Sequence, residues 1–502
     1  MAVNKAEKEA LKNIGRGSFI ILLGFIFAKL MELARAVILA RGLGTSGYGV
    51  YSMSFTILTL ASFLCLFGLS KGVVHFISKN TEDKNRIRQI ANHTFRFVLA
   101  SSVILGLVLF FTRNYLASFF GMPSLSQMLV LFALSLPFFA LFEIFTRIFE
   151  GFTLMRFGVI LRDIGQNVIF IPLALVFLYL NFSLFGAGMA FLISYAAIFL
   201  VSFYFTIKKV NFLNAGKNSR LRWELINYSW PLMLSSFIYL LLNKIDIIFL
   251  GHFSTSAVVG GYSVASDLSH ILIFLNVIVL PVFFPVMSGL FGKGRIVEAG
   301  NLFRKTTKFL VALTLPLLVV FVVFSREILL YIFGAEYAGA YKFLIILAFS
   351  SFFALASGPI DIFLSSMNRP RWVLFNNLVA LVLNLVLNYI LILKMGPIGV
   401  AVATLVSVFI QNYLGIFQIW LVDKIRPYSA VLIRPVIVSA ALGLLVYFSK
   451  KNLAQKLHIH ILLALSVLAA YGIYLLLDRK LIKFSYFLGY LKKEVIKEGL
   501  LK

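Results

Sequence analysis

Charge is scarce in this chain. Of its 502 residues only 13% are Asp, Glu, Lys or Arg, about half the quarter or so found in a soluble domain, and that excludes water as the main solvent. Acids are scarcer still: 19 against 46 Lys and Arg, a formal charge of +27. Cysteine is nearly absent. The one thiol, Cys65, lies inside an apolar stretch, which excludes a disulfide scaffold or a thiolate metal cluster and leaves packing as its role. No G-x-x-x-x-G-K-[ST] and no H-E-x-x-H occurs. No stretch between apolar runs exceeds about 20 residues, too short for a soluble catalytic or nucleotide-binding domain of about 50 or more. An ATP-driven pump in one chain is excluded, and no basic run sits in a pattern that would present it to nucleic acid.

What is there is hydrophobic. Apolar types make up 61% of the chain, and the mean hydropathy is +0.97. A run of about 20 apolar residues crosses the hydrocarbon as a helix, because a helix satisfies its own backbone polar groups. Fourteen such runs lie near 18–39, 49–77, 91–111, 124–149, 157–180, 184–206, 226–250, 258–290, 306–324, 342–366, 372–393, 397–420, 430–448 and 460–477. The fold class expected is therefore an all-α polytopic membrane protein of 14 transmembrane helices. The first run follows Lys5, Lys8, Lys12 and Arg16 but carries Lys29, Glu32 and Arg35, so it reads as a retained span rather than a signal.

With both termini placed in the cytoplasm, the outer loops hold only Arg41, Arg113, Arg326, Lys394, Lys450, Lys451 and Lys456, while the inner loops and tail hold most of the remaining Lys and Arg. The positive-inside rule thus predicts N-in, C-in. The basic linker Lys208, Lys209, Lys217, Arg220 and Arg222 and the tail after Arg479 are expected to face anionic lipid of the inner leaflet. The segment Gly42-Leu-Gly44-Thr-Ser-Gly47 matches G-x-G-x-x-G, but it follows a membrane helix and reads as an outer turn between spans 1 and 2.

An internal repeat is present. Gly49-Val-Tyr51-Ser52 recurs as Gly260-Gly-Tyr262-Ser263, an offset of 211. Asn85-Arg86-Ile87 with Asn92 and Arg96 recurs as Gly294-Arg295-Ile296 with Asn301 and Lys305; Phe138-Phe139-Ala140-Leu141 recurs as Phe352-Phe353-Ala354-Leu355; Gly186, Ala190 and Ser194 recur as Gly399, Ala403 and Ser407. Chain order is kept and the spacing is nearly constant, with offsets of 209 to 214. The organisation expected is a cytoplasmic basic arm (1–17), an N-lobe of helices 1–6 (18–208), a basic linker (209–225), a C-lobe of helices 7–12 (226–420), helices 13 and 14 (421–477) and a basic tail (478–502). Each bundle has an even number of spans, so the two run parallel, with a pseudo-two-fold along the membrane normal. The small-residue stripes suit close helix contact.

Several charges fall inside the spans: Lys29, Glu32 and Arg35; Glu143, Arg147 and Glu150; Lys244 and Asp246; Asp267 with His270; and Asp361. Each Arg, Lys or Asp costs roughly 2.5–3.5 kcal/mol at a helix centre, so they are expected to face a cavity or one another. The spacings in 29/32/35 and 143/147/150 also allow ion-pair ladders along single helices. Lys71, Arg96 and Lys342 lie near span ends and read as snorkelling; His270 reads as a hydrogen-bonded interior residue. At repeat offsets Arg35 corresponds to Asp246 and Arg147 to Asp361, so one bundle is basic where the other is acidic. The basic face suits an anionic group, and the acids suit a cation or closure against those arginines.

The segment from Arg35 through Leu39–Tyr51 (LARGLGTSGYGVY), the 6+6+2 spans and the basic loop after span 2 together resemble the polysaccharide transporters. These are lipid-linked oligosaccharide flippases of the O-antigen or repeat-unit type, in the multidrug/oligosaccharidyl-lipid/polysaccharide superfamily. The resemblance, over about residues 10–480, implies V-shaped lobes around a central cavity and a substrate that is a polyprenyl-pyrophosphate-linked glycan. It implies no enzyme activity and no cofactor beyond a coupling sodium ion or proton, with polysaccharide polymerase or glycosyltransferase machinery as partner. Lys29, Arg35 and Lys244 are the residues that suit the pyrophosphate, and Tyr239 and Asn243 suit sugar hydroxyls. Similarity to sodium-coupled lipid II flippases implies a cation set of Asp246, Asn384, Asn388, Val400 and Thr404, with Asn388 standing where a carboxylate would be expected. A buried polar interface between spans 11 and 12 explains the last four equally well.

The function expected is export of the glycan lipid to the outer leaflet by alternating access in the cell membrane. A drug/cation antiporter of the same superfamily would use Asp246, Asp267 and Asp361 but sits poorly with Lys29, Arg35, Arg147 and Lys244. A membrane glycosyltransferase or polymerase would need an acidic pair on a sizeable outer loop. Prolines inside spans, including Pro137, Pro231 and Pro316, offer bend points.

Overall fold

The computed structural model describes the backbone of residues 5–452 apart from 153, 214, 217, 218, 275 and 426–432, together with 461, 464, 465, 467–469, 471 and 472. The basic tail and most of the expected helix 14 lie outside the described residues, as do the side chains of the basic arm. Every regular element among them is helical. In chain order these are α1 (Lys5–Leu66), α2 (Leu69–Lys79), α3 (Lys84–Phe119), α4 (Pro123–Gly151), α5 (Met155–Gly158), a π-helical stretch (Val159–Gly165), α6 (Gln166–Tyr179), α7 (Ser183–Val210), α8 (Ser219–Phe253) and α9 (Ser256–Phe274). There follow α10 (Asn276–Gly292), α11 (Ile296–Val323), α12 (Ser325–Phe333), a 3₁₀ turn (Ala335–Ala340), α13 (Tyr341–Ala356), α14 (Ile360–Ser366), α15 (Pro370–Met395), α16 (Pro397–Asp423) and α17 (Ile433–Asn452).

Eleven of the described segments are long and apolar enough to cross a membrane. They take in twelve of the expected spans, because the first two are one segment, Gly24–Leu66, of 43 residues. At 1.5 Å per residue that is about 65 Å, roughly twice the 30 Å hydrocarbon thickness. Its helix is interrupted only at Gly44 (φ 68°, ψ 178°), a conformation open to glycine, and that residue is where the chain can reverse. The turn expected over Gly42–Gly47 is thus a single-residue break. Span 2 also ends earlier than expected, at Phe67 and Gly68, both with positive φ, and α2 is a separate amphipathic helix with Leu69, Val73, Phe76 and Ile77 buried. The thirteenth span appears as the shorter apolar helix Val436–Phe448 within α17.

The helix ends follow local chemistry. Asp83 accepts a hydrogen bond from the Arg86 amide at 2.9 Å and caps α3. Proline opens α4, α15 and α16, where its missing N–H has no helical partner to lose. Contacts divide the chain into two compact units, Phe19–Val264 and Ala265–Lys502 with the first 18 residues. In the 19–264 unit α4 packs on α3, α7 and α2. Its core is aromatic: Phe132 stacks on Phe191 at 4.6 Å, and Phe191 meets Tyr195 at 4.5 Å. Lipid is as apolar as these rings, so packing rather than hydrophobicity holds them. Asn92 on α3 donates to the carbonyls of Phe212 and Leu213 and so ties down the segment after α7. In the 265–502 unit α15 packs along α16, and α13 packs on α11 and α16. Lys450 on α17 reaches Glu327 and the Val323 carbonyl, holding α17 to α11 and α12.

Within the 19–264 unit, the second half of α1 crosses the start of α9 backbone to backbone. A side-chain carbon at Gly49 would sit 1.8 Å from the Ser256 carbonyl oxygen, and one at Gly260 would sit 2.0 Å from the Thr45 carbonyl oxygen. Thr45 and Ser256, like Gly49 and Gly260, are repeat equivalents at offset 211. Each glycine therefore meets the other copy's carbonyl, the reciprocity of a two-fold contact. Ser52 and Ser263 share a hydrogen bond at 2.7 Å, and Ser46 and Ser256 share one at 2.6 Å. A Ser52→Cys/Ser263→Cys pair in a Cys65→Ala background is expected to cross-link under mild oxidation, seen as a mobility shift on a gel. Adding Gly49→Val should abolish the cross-link, because the opposing atoms are backbone and cannot give way. A folded double-cysteine variant that stays reduced would contradict the contact.

Candidate functional site

The expected site residues divide by how their charge is met. Lys29 and Glu32, one turn apart on α1, pair with each other. On α4, Arg147 donates through Nε and Nη2 to Glu143 Oε1, at 2.8 and 2.6 Å, and through Nη1 to Glu150 Oε2 at 2.7 Å. Arg162, on the π-helical stretch, approaches the other Glu150 oxygen at 3.8 Å. Two carboxylates and two guanidiniums make a formally neutral cluster. The ladder arrangement therefore accounts for both of these groups, and Arg147 is already engaged by two acids. Lys71, Arg96 and Lys342 are exposed.

Arg35 is held differently. It is half-buried on α1, and its Nη1 donates to Gln166 Oε1 on α6 at 3.4 Å. Gln166, itself buried, passes its amide hydrogen to Ser194 Oγ on α7 at 3.4 Å. The Arg35 guanidinium lies 5.8 Å from the centre of the Phe170 ring, with Tyr51, Tyr195, Tyr48 and Glu32 in electrostatic range. The hydrogen-bond partner is thus a neutral amide, which orients a guanidinium without consuming its charge. Lys244 on α8 places its ammonium 5.8 Å from the Phe55 ring centre. Both cations belong to the 19–264 unit. Tyr239 and Asn243 lie on an exposed face of α8, where the Asn243 amide is bonded to the Tyr239 carbonyl at 2.7 Å.

Asp246, the repeat equivalent of Arg35, is buried on α8 and accepts a 2.5 Å hydrogen bond from the Tyr262 hydroxyl on α9. Asp267 and His270 are exposed on α9, and Asp361 is exposed in the first turn of α14. In the 265–502 unit, Asn384 and Asn388 are buried one turn apart on α15, and Asn388 Nδ2 donates to Asn384 Oδ1 at 3.0 Å. On α16 the Thr404 hydroxyl donates to the Val400 carbonyl at 3.1 Å. Amide, carbonyl and hydroxyl oxygens are the hard donors an alkali cation takes. They also continue a polar seam along α15 and α16: Asn376 and Gln418 exchange hydrogen bonds at 2.9 and 2.8 Å, and Gln411 donates to Asn377 at 2.6 Å. Among the described residues no group of three or more His, Cys, Asp and Glu is placed to hold a metal ion.

Sequence reasoning missed Gln166, Phe170 and Tyr51 as neighbours of Arg35. Gln166 is neutral and raises no alarm in an apolar run; Ser194 and Tyr51 were visible only as members of the repeat.

The family described as "Polysaccharide biosynthesis protein" matches residues 14–291, and the MatE family matches residues 231–390. The chain is similar to the "Probable low-salt glycan biosynthesis flippase Agl15" of Haloferax volcanii, 26% identical over 80% of this chain and 82% of that protein. It is 23% identical to an uncharacterized membrane protein of Methanocaldococcus jannaschii over 84% and 86% of the two chains. Its fold is similar to a structure of the lipid II flippase MurJ in an inward closed conformation, with a TM-score of 0.74, 17% identity, and 92% and 100% of the chains covered. An inward-facing multidrug resistance MATE family transporter follows at a TM-score of 0.63 and 16% identity, covering 79% and 94%.

Removing Arg147 takes the paired cation from Glu143 and leaves Glu150 with the more distant Arg162. Arg147→Ala is expected to destabilise the protein by about 3 kcal/mol, and the triple variant Glu143→Gln/Arg147→Met/Glu150→Gln to recover most of that. Thermal unfolding in detergent checks both; equal midpoints for wild type and Arg147→Ala would refute the cluster.

Proposed function

Since the chain belongs to the polysaccharide biosynthesis protein family, within the multidrug/oligosaccharidyl-lipid/polysaccharide flippase superfamily, we propose that this multi-pass protein of the cell membrane moves a polyprenyl-pyrophosphate-linked oligosaccharide from the cytoplasmic to the outer leaflet. The observation that carries the substrate class is Arg35: a guanidinium set within a helical bundle and oriented by the neutral Gln166. Such a group suits a phosphate, whose oxygens match the planar fork. Lys244, against the Phe55 ring, adds a second positive charge. The relative named for glycan biosynthesis and the structural neighbour named for lipid II support a lipid-linked glycan as cargo.

Transport proceeds by alternating access, without covalent chemistry. With both termini cytoplasmic, an inside-negative potential favours outward movement of the anion by about 2.3 kcal/mol per charge per 100 mV. For a pyrophosphate with two net charges that is about 4–5 kcal/mol. A sodium or proton gradient then resets the empty carrier. In the 19–264 unit Asp246 supplies a buried carboxylate that a proton would neutralise; in the 265–502 unit Asn384, Asn388, Val400 and Thr404 supply neutral oxygens suited to a sodium ion. Released glycan would pass to polysaccharide polymerase or glycosyltransferase machinery.

The MatE match over 231–390 favours a second reading, export of a lipophilic cation; the positive charges of Arg35 and Lys244 count against it. Proteoliposomes carrying a fluorescent polyprenyl-pyrophosphate glycan distinguish the two. Wild type is expected to flip the lipid faster under an imposed potential, with a further response to a sodium gradient, and Arg35→Ala to slow it by about tenfold or more, as for a lost charge-assisted hydrogen bond. Efflux of cationic dyes with no movement of any glycan lipid would overturn the proposal.

A further inference from the structure

The hydroxyl of Tyr51 is an unmet donor. Tyr51 is 6% exposed, and its Oη has no hydrogen-bond partner among the described residues. Buried hydroxyls are ordinarily bonded, because leaving one unmet forfeits its hydration without return. Nor is the ring free to swing away: it stacks on Tyr48 with centroids 6.3 Å apart and meets the edge of Phe132 at 5.9 Å.

The repeat shows what this position does in the other copy. Tyr262 is the equivalent of Tyr51, and Asp246 the equivalent of Arg35, each pair separated by sixteen residues. In the second copy the tyrosine hydroxyl donates to the carboxylate at 2.5 Å. In the first copy the carboxylate is replaced by a guanidinium, which has five donors and no acceptor. Arg35 lies in electrostatic range of Tyr51 and spends one N–H on Gln166. The first copy therefore brings together two kinds of donor where the second has a donor and its acceptor. What Tyr51 lacks is an acceptor: Glu32 lies in electrostatic range of Arg35 but does not bond the Tyr51 hydroxyl.

We propose that Tyr51 Oη and the Arg35 guanidinium form a two-donor subsite for a phosphate oxygen of the lipid-linked substrate, with Gln166 as the positioning residue that holds the guanidinium in place. The proposal rests on the flippase reading and sharpens it. The tyrosine supplies a neutral, directional hydrogen bond beside the charge, so it favours an acceptor oxygen over a sugar hydroxyl that must also donate. Asp246 and Tyr262, already bonded to each other, form no such subsite.

Two phenylalanine variants of the full chain in detergent test this by thermal shift, with farnesyl pyrophosphate as the probe and inorganic pyrophosphate and phosphatidylglycerol in parallel. Tyr51→Phe is expected to leave the unliganded unfolding midpoint unchanged or raised, because the oxygen removed has no partner, and to weaken farnesyl pyrophosphate binding about tenfold. Tyr262→Phe is expected to do the opposite: lower the unliganded midpoint, because Asp246 loses its donor, and leave the affinity unchanged. A response to inorganic pyrophosphate with the same Tyr51 dependence also supports an oxyanion subsite. If wild type binds farnesyl pyrophosphate and Tyr51→Phe binds it equally well, the subsite is refuted and the flippase reading stands. A Tyr51-dependent response to phosphatidylglycerol alone also refutes it, making the position a membrane-lipid contact. If wild type binds no polyprenyl pyrophosphate, the functional reading falls and takes the subsite with it.

Discussion

Two glycine backbones in contact set the geometry on which the rest of the site depends. Gly49 and Gly260 bring α1 and α9 so close that any side-chain carbon at either position would overlap an opposing carbonyl. In lipid there is no gain from burying apolar side chains against each other. Close approach with hydrogen bonds between serines takes the place of that driving force, and Ser46, Ser52, Ser256 and Ser263 provide them. Because the contact is reciprocal, it holds the two copies of the repeated segment in register. Arg35 and Asp246 then occupy equivalent positions, each with its tyrosine sixteen residues on.

Given that register, the ionised groups are met in two ways. Arg147 is neutralised on its own helix by Glu143 and Glu150, with Arg162 balancing the sum, and Lys29 is met by Glu32. Such pairs satisfy the bilayer and leave little charge for a ligand. Arg35 and Asp246 instead make hydrogen bonds with neutral groups, a carboxamide and a phenol. Dipoles orient a charge without cancelling it. That difference distinguishes the Arg147 cluster from Arg35 more sharply than the excess of 27 positive charges does.

Much of the architecture was legible because hydrophobic runs are long and local. Twelve expected spans overlap the eleven described segments that are long and apolar enough to cross a membrane, and Arg35, Asp246 and the α4 ladder stood out as ions in apolar sequence. Breaks within helices did not. Gly44 interrupts α1 at one residue, and the π-helical stretch over Val159–Gly165 places Arg162 beside Glu150; neither alters composition or hydropathy. The α15–α16 seam was half legible: Asn384 and Asn388 were visible by spacing, whereas the exchange between Asn376 and Gln418 needs two helices.

The amino-acid sequence by itself determined that this is a helical membrane protein built on a repeat, because hydropathy and spacing are properties of neighbouring residues and of recurring offsets. Which charges remain available was decided only by tertiary structure. Arg35 finds Gln166 131 positions away, and Gln166 finds Ser194 another 28 along. Both partners are neutral side chains that carry no signal in one dimension. Whether a buried ion meets an acid or an amide depends on what packing brings within a few ångströms, and electrostatic energy in a low-dielectric interior turns on that distance.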